Sequence, residues 1–341
     1  MAKTILGIDI GTDSLKLALV SGGRLKKTAV AAVPHHLVKE GRVVSPEAMS
    51  DLIRTAMKEN GIRCRRAALV LANEAVFVRN VTMPQMTVEQ LKLNLPFEFR
   101  DFITDELKNY VFDYAMISTP EEMAESARQN ESGNGRGTME LLGAAVPLSL
   151  IEESTDYLRK AGLKLTKAAP SVAAFSALIE AREENRHASD GKEYCILDLG
   201  YNGIRMYFFK GACHRVTRVL EMGMRSLDEV IADLYNVDVF LAHTYLMTDY
   251  EGCLHREECR AAYRNIAVEL MRAVNFYRFS NPESEIGGVW LGGGGAAIEE
   301  LRAVIGETLD LPVHQASELL PAGMRTEQDS LLLQAIGIAI N

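Results

Sequence analysis

Apolar residues fall into two recurring patterns along this chain. One is a short run broken by glycine and small polar residues; the other places an apolar side chain at every third or fourth position. The first pattern opens the chain, where residues 4–33 read as a strand, a turn and one or two further strands, with Ser21-Gly22-Gly23 as a hairpin turn. Helical spacing follows Ser45-Pro46-Glu47. A serine N-cap and a proline in the first turn lead Met49, Leu52, Ile53, Ala56 and Met57 along one face, and Asn60-Gly61 ends it. Ala67-Ala68-Leu69-Val70-Leu71 is apolar without alternation, the pattern of a strand covered on both faces in a parallel sheet.

From Val76 the character changes. Val76 to Val81 alternates and ends at Met83-Pro84, and Thr87-Val88-Glu89-Gln90 has the spacing of a capping box. The helix it opens carries Leu91, Leu95, Phe99 and Phe102 as one stripe, with Pro96 placed to kink or split it. A strand (Val111 to Ile117), a polar loop (Pro120 to Gly137), a second strand (Met139 to Val146) and a helix over 149–161 complete the block. It is expected to be an inserted small α/β domain over 76–164, with the polar loop as an exposed hairpin tip. Ala168 to Arg182 is expected to be helical and Glu183 to Lys192 a charged linker. The second half then begins at Tyr194. It runs through a hairpin, a strand (Arg215 to Leu220), a helical stretch with polar breaks from Ser226 to about Phe279, and a strand (Gly287 to Leu291) ending in Gly292-Gly293-Gly294-Gly295. A helix over Ala296 to Ile305, Leu311-Pro312-Val313 and a last helix from about Glu327 close the chain.

Two segments repeat one pattern. Ile8-Asp9-Ile10-Gly11-Thr12-Asp13-Ser14-Leu15-Lys16 runs from an apolar strand into Asp-x-Gly, turns, and leaves as a second apolar strand. Leu197-Asp198-Leu199-Gly200-Tyr201-Asn202-Gly203-Ile204 does the same half a chain later. An acid and a glycine at a hairpin tip suit a nucleotide phosphate and its metal ion. Two copies predict two related halves closing on one nucleotide.

At 341 residues the chain exceeds one ordinary core and suits two lobes or more. A net charge of −9 argues against a nucleic-acid partner, since a broad phosphate-binding surface needs clustered Lys and Arg. Met1-Ala2-Lys3 leads straight into a strand rather than a secretory leader, and no apolar run approaches the roughly 20 residues that span a bilayer. Five cysteines without regular spacing fit a reducing cytoplasm. Cys253, His255 and Cys259 lie close together, but without the paired spacing of a structural zinc site they read as reduced thiols and a loop histidine.

At the first hairpin, Asp9 is placed to hold magnesium, through water because that ion gives up its waters reluctantly. Gly11 lets the backbone approach a phosphate, the N–H groups of Thr12 and Asp13 face into the turn, and Lys16 offers a point charge to a β- or γ-phosphate. The run Gly292 to Gly295, between a strand and a helix, suits a backbone lying against a base or α-phosphate. Its alternative reading is a packing turn.

In this order the three elements are similar to the two phosphate loops and the adenosine loop of the actin-like ATPase superfamily. Within it the chain most resembles the PilM family of type IV pilus assembly proteins, relatives of the division protein FtsA. The resemblance covers nearly the full length. It rests on Gly7-Ile8-Asp9-Ile10-Gly11-Thr12 through Lys16, on Met83-Pro84 to Leu95-Pro96-Phe97-Glu98, and on Leu141-Leu142-Gly143-Ala144-Ala145-Val146-Pro147 with Ala161-Gly162-Leu163. Asn275-Phe276-Tyr277 and Leu291-Gly292-Gly293-Gly294 complete it.

The resemblance implies an actin-like (ribonuclease H-like) α/β fold duplicated into two lobes. Residues 1–75, 165–185 and 325–341 would form the first lobe and 186–324 the second, with a helical subdomain at about 226–284. It implies ATP with magnesium, the ion held through water by Asp9 and Asp198. The nucleotide set would be Asp9, Gly11, Thr12, Asp13, Ser14, Lys16, Asp198, Gly200, Asn202 and Gly292, Gly293, Gly294 and Gly295. By position Glu269 and Arg272 would touch the ribose or base; their alternative is an i, i+3 surface pair. The inserted domain and first lobe would form a groove for a short cytoplasmic peptide of a PilN-like inner-membrane protein. The expected role is therefore a cytoplasmic ATP-binding scaffold, peripheral at the inner membrane through partners, with self-association left open.

Three departures bear on turnover. Asp13 sets a carboxylate beside the phosphates, Tyr201 is bulky for a phosphate loop, and Lys167-Ala168-Ala169-Pro170-Ser171 lacks the acid that would orient water. Slow or absent hydrolysis is the expectation. An FtsA-like filament would need an amphipathic tail beyond Ile338-Ala339-Ile340-Asn341, and a small-molecule kinase would need a carboxylate base beside an acceptor pocket. A scaffold that has lost nucleotide binding is the remaining alternative.

Overall fold

The computed structural model describes residues 4–117, 138–186, 192–321, 323–326 and 328–340; the polar segment 120–137, expected as a hairpin tip, lies outside them. The chain divides into two compact units. The first comprises Met1–Ala181, Ala212–Arg215 and Gln334–Asn341, the second Arg182–Gly211 and Val216–Leu333.

The first unit is built on strands β1 (Thr4–Ile10), β2 (Ser14–Ser21) and β3 (Arg24–Ala32), followed by the short hairpin β4 (Val38–Lys39) and β5 (Arg42–Val43). Helix α1 (Pro46–Glu59) leads to β6 (Arg66–Leu71). With β10 (Lys164–Pro170) these make a five-stranded sheet in the order β10-β6-β1-β2-β3. β1 runs antiparallel to β2 and parallel to β6. Proline stands at the start of α1 as the spacing predicts, although the Ser45 side chain makes no capping bond. Gly61, at φ 58°, carries the chain out of the helix.

Residues 168–182 were expected to be helical, and the structure corrects this. Ala168, Ala169 and Pro170 pair in parallel with Leu69, Val70 and Leu71, and helix α4 (Ser171–Arg186) begins only after them. The residue before a proline is biased toward extended backbone, and the paired edge of β6 stabilises that choice against alanine's helix preference. Two close approaches seat the end of the last helix, α9 (Asp329–Ile340), in this unit. A Cβ on Gly7 would lie 1.8 Å from the Ala335 carbonyl oxygen, and one on Gly337 would lie 2.2 Å from that of Ala174.

The inserted block is a three-stranded antiparallel sheet, β7 (Phe77–Pro84), β9 (Thr138–Pro147) and β8 (Tyr110–Met116), in that order across the sheet. Helix α2 (Val88–Asn94) covers its own small core of Val81, Met83, Leu91, Leu95, Phe99 and Leu141. The capping box is formed: Gln90 N–H donates to Thr87 Oγ1 at 3.3 Å, and Thr87 N–H donates to Gln90 Oε1 at 3.0 Å. Thr87→Ala is therefore expected to cost about 1 kcal/mol, read as a lowered denaturation midpoint in urea. Pro96 splits the helix, and Leu95–Phe99 continues as a 3₁₀ turn. Leu91, Leu95 and Phe99 are buried as expected, but Phe102 is half exposed, its ring 4.1 Å beneath the Arg79 guanidinium. Helix α3 (Leu148–Lys160), expected within the inserted domain, sends Leu150, Tyr157 and Leu158 into the core of the first lobe. There the Ser50 hydroxyl donates to the Tyr157 carbonyl at 2.9 Å.

The second unit repeats the scheme with β11 (Glu193–Leu199), β12 (Ile204–Lys210), β13 (Cys213–Leu220), β14 (Ile286–Gly292) and β15 (Val313–Gln315), in the order β13-β12-β11-β14-β15. As in the first sheet, the central strand runs antiparallel to the next strand in sequence and parallel to the one on its other side. The duplication first read from two hairpins thus extends to whole sheets. The helical stretch resolves into α5 (Arg225–Tyr235), α6 (Val239–Thr248), a 3₁₀ turn (Tyr250–His255) and α7 (Glu257–Ser280). Its breaks fall at Asn236 and Asp249, both left-handed at φ 51° and 47°. Asparagine and aspartate tolerate that region better than other side chains with a Cβ. Helix α8 (Glu299–Thr308) follows β14. Among the described residues no helix is long and apolar enough to cross a membrane.

Candidate functional site

The first hairpin joins β1 to β2 through Gly11, Thr12 and Asp13. Its register sets Asp9 opposite Lys16 and Ile10 opposite Leu15. Lys16 Nζ lies 3.2 Å from Asp9 Oδ2, with side chains only 14% and 12% exposed. A charge pair this deep is weak as a stabiliser, because desolvation offsets most of the attraction. It is a preorganised pair of opposite charges at a turn. Ser14 opens β2, and its carbonyl accepts from Gly11 N–H at 2.9 Å, while the Asp13 carbonyl accepts from Val33 N–H at 2.7 Å. Gly11 is required for space, not for φ. Its Cβ would lie 2.9 Å from Lys16 Nζ and 3.1 Å from the Ser14 carbonyl oxygen.

The second hairpin sets Asp198 opposite Arg205. Acid, glycine and base keep the first hairpin's spacing: Asp9, Gly11 and Lys16 there, Asp198, Gly200 and Arg205 here. Sequence reasoning missed Arg205, although laying the two segments over each other finds it. The connecting loop, which includes the exposed Asn202, is fastened from several sides. Met224 N–H donates to the Gly200 carbonyl at 3.0 Å and Arg225 N–H to the Tyr201 carbonyl at 2.9 Å. Gly223 makes room for these bonds, since its Cβ would stand 2.3 Å from the Tyr201 carbonyl oxygen.

Tyr201, expected to crowd a phosphate loop, anchors it. Its hydroxyl donates to Asp228 Oδ2 at 2.8 Å, and His243 Nδ1 lies 3.0 Å from the same oxygen. The Tyr201 and His243 rings meet edge to face at 5.5 Å. Asp228 is fully buried, and its Oδ1 has no hydrogen-bond partner. The turn of the second hairpin, α5 and α6 are thereby joined through one carboxylate. No sequence signal marked Asp228 or His243, because each lies within a helix and neither belongs to a motif.

The glycine run has packing reasons at three of its four positions. A Cβ on Gly292 would lie 2.8 Å from Leu333 Cδ1, one on Gly293 2.7 Å from Asp198 Oδ1, and one on Gly295 2.4 Å from Met224 Sδ. Gly293 also sits at φ 81°. Only Gly294 is open, its nearest neighbour being Leu331 Cδ2 at 3.9 Å. Glu269 and Arg272 pair with each other at i, i+3 on α7, beside the buried Leu270.

Among the described residues no three His, Cys, Asp or Glu side chains gather around a point where a metal would sit. Both His255 ring nitrogens face carboxylates, Nδ1 at 2.8 Å from Glu300 Oε1 and Nε2 at 3.6 Å from Asp249 Oδ2. Burial pushes the Cys259 thiol up to about 11 and also raises that of Cys253.

The first unit also holds a pocket that sequence did not delineate. It opens at the carboxyl ends of β1 and β6 and is lined by Ile10, Val38, Val43, Leu71, Ala72, Leu150, Glu153 and Tyr157. The β4–β5 turn on its rim has both Glu40 and Gly41 at positive φ, the geometry of a type I′ hairpin. Burial raises the Tyr157 phenol to about 12, so it stays neutral at physiological pH. The pocket's lining is mixed, the apolar side chains being joined by Glu153, Ser154 and the Tyr157 phenol.

The comparisons with known proteins agree with this architecture. A solved PilM–PilN type IV pilus biogenesis complex is similar with a TM-score of 0.81 at 23% identity, over 98% of this chain and 97% of that one. The ethanolamine utilization protein EutJ from Carboxydothermus hydrogenoformans is similar with a TM-score of 0.60 at 15% identity, over 99% of this chain and 89% of that one. These likenesses establish the fold, which is actin-like. No curated protein matches the chain. The family model for the type IV pilus assembly protein PilM matches residues 7–336, and with doubled sheets, acid-tipped hairpins and an inserted three-stranded block in place, the chain belongs to the PilM family.

Proposed function

We propose that this chain is a cytoplasmic scaffold of a type IV pilus, or related secretion, assembly platform. It receives a short cytoplasmic peptide from a PilN-like inner-membrane protein, and its contact with the membrane runs through that partner. The observation that carries the reading is the family match from residue 7 to residue 336, which spans both sheets and the inserted block. The small recess at the carboxyl ends of parallel strands, bordered by Val38, Val43, Leu71 and Leu150, is the proposed seat for the tip of one apolar side chain of that peptide.

Magnesium-ATP is the proposed ligand of the hairpins. What supports it is the buried Asp9–Lys16 pair and the repetition of its spacing at Asp198. Each hairpin's acid, Asp9 in the first unit and Asp198 in the second, is a proposed magnesium ligand through water, and the chemistry the ion would supply is neutralisation of phosphate charge. Lys16 would bind a phosphate oxygen directly. Slow or absent turnover is part of the proposal, because β10 and the start of α4 supply no carboxylate at Lys167 to Ser171 to orient water. Nucleotide then acts as a shape-setting ligand, and it shifts the partner pocket only as far as its affinity differs between two conformations.

The partner half is tested with a synthetic peptide of the PilN-like protein's cytoplasmic segment, titrated into the full chain. The wild type should bind, and Val43→Glu, which sets a carboxylate into the pocket, should weaken binding by about tenfold or more. Equal binding by the variant moves the peptide to another surface. No binding by the wild type overturns the partner assignment.

A further inference from the structure

The second hairpin carries a cation that matches the first in spacing and register. Lys16 lies seven residues after Asp9 and directly across the ladder from it; Arg205 has that relation to Asp198. In both hairpins the cation overlies the glycine of Asp-x-Gly. The position of a Gly11 Cβ would be 2.9 Å from Lys16 Nζ, and that of a Gly200 Cβ 3.8 Å from Arg205 Nη1. Arg205 is the one charged residue within Ile204–Phe209 of β12, where Ile204, Met206, Tyr207, Phe208 and Phe209 are all buried.

Both glycine N–H groups are engaged inside their turns, Gly11 with the Ser14 carbonyl at 2.9 Å and Gly200 with the Asp198 carbonyl at 3.0 Å. Neither is available to an anion. Recognition of phosphate at each turn therefore falls to the cation above it and to the backbone groups that follow. A guanidinium can bind two oxygens of one phosphoryl group at once, which an ammonium cannot. Asp198 and Arg205 together offer one negative and one positive group, the pairing that suits a phosphate with its metal ion.

We propose that Arg205 is a phosphate-binding residue, the second hairpin's counterpart of Lys16, and that it selects for a polyphosphate chain rather than for the nucleoside. The inference rests on the reading of the hairpins as a magnesium-ATP site, and it adds a residue and a specificity to that reading. The fastening of the loop through Tyr201 and Asp228 holds the turn beneath the guanidinium in one geometry.

The test is calorimetric titration of the full chain with magnesium-ATP and with AMP, on the wild type, Arg205→Gln and Arg205→Lys. Arg205→Gln should weaken magnesium-ATP by about tenfold to a hundredfold, the range of a charge-assisted hydrogen bond. AMP binding should fall by much less, and Arg205→Lys should recover part of the ATP affinity. A purely structural role would lower both ligands together. Equal magnesium-ATP affinity in the wild type and Arg205→Gln overturns the inference and leaves the nucleotide site standing. Should Arg205→Gln fail to fold, Arg205→Lys must still favour ATP over AMP less than the wild type does, and unchanged discrimination overturns the proposal. A wild type that binds neither ligand overturns the nucleotide reading itself, and this inference with it.

Discussion

Asp9→Ala is expected to remove most of the rise in thermal midpoint that magnesium-ATP gives the wild-type protein. At a free ligand concentration of 100 times Kd, mass action stabilises the folded state by about 2.7 kcal/mol, a shift of several degrees for a chain of this size. Asp9 is nine-tenths buried at the end of β1, where its carboxylate faces the turn and Lys16 across the ladder. Removing it takes away the carboxylate proposed to face the metal's water shell. It also leaves the Lys16 ammonium, only 14% exposed, without its partner at 3.2 Å. The apo protein should therefore melt earlier as well. The two effects separate when midpoints are recorded with and without ligand: the first is a lost increment, the second a lowered baseline. Lys16→Gln serves as the companion, since it removes the other half of the pair while keeping the acid. An increment that survives intact in Asp9→Ala shows that the metal is held elsewhere. A wild type without any increment leaves the peptide-binding scaffold and removes ATP from the proposal.

How far the sequence could be read depends on the range of the interaction concerned. Local chemistry was legible. Thr87 and Gln90 form their box, Pro96 divides its helix, and the two Asp-x-Gly segments are hairpins in corresponding sheets. Each of these needs only neighbours in sequence. β10 was misread because Ala168 and Ala169 have no strong local preference against a helix; what makes them a strand is the paired edge of β6, about a hundred residues earlier. Phe102 was assigned to the buried stripe by spacing, but Pro96 breaks the helical period before it, and Arg79 covers it instead. Tyr201 looked like decay of a phosphate loop. Its partners Asp228 and His243 lie on two later helices, and no pattern in the chain joins the three. The glycine run illustrates the limit in the other direction. Four consecutive glycines suggested a ligand; what sequence did not show is that three of them are also required by packing against Leu333, Asp198 and Met224 within their own unit.

Gly223→Ala is expected to destabilise the second unit by about 3 kcal/mol, at the upper end of overpacking costs. An added Cβ would stand 2.3 Å from the Tyr201 carbonyl oxygen, 2.6 Å from Gly203 N and 2.7 Å from the Gly200 carbonyl oxygen. All three are backbone atoms of the second hairpin's loop, so none can swing aside as a side-chain end would. Relief requires the loop to move away from α5, which stretches the bonds from Met224 and Arg225 N–H and the 2.8 Å bond between Tyr201 and Asp228. Gly11→Ala meets a milder obstacle, because its closest neighbour, Lys16 Nζ at 2.9 Å, is the end of a side chain rather than backbone. Gly294→Ala is the control: its surroundings are open, its φ is not left-handed, and a cost near that of an ordinary surface change, under about 0.5 kcal/mol, is expected. Urea unfolding of the three variants measures the order. If Gly223→Ala proves as mild as Gly294→Ala, the loop is not held against α5. Its fastening through Tyr201 then cannot be what fixes the second hairpin. If the order holds, nucleotide affinity should fall in Gly223→Ala beyond its loss of stability, since the displaced loop carries Gly200 away from the Arg205 guanidinium.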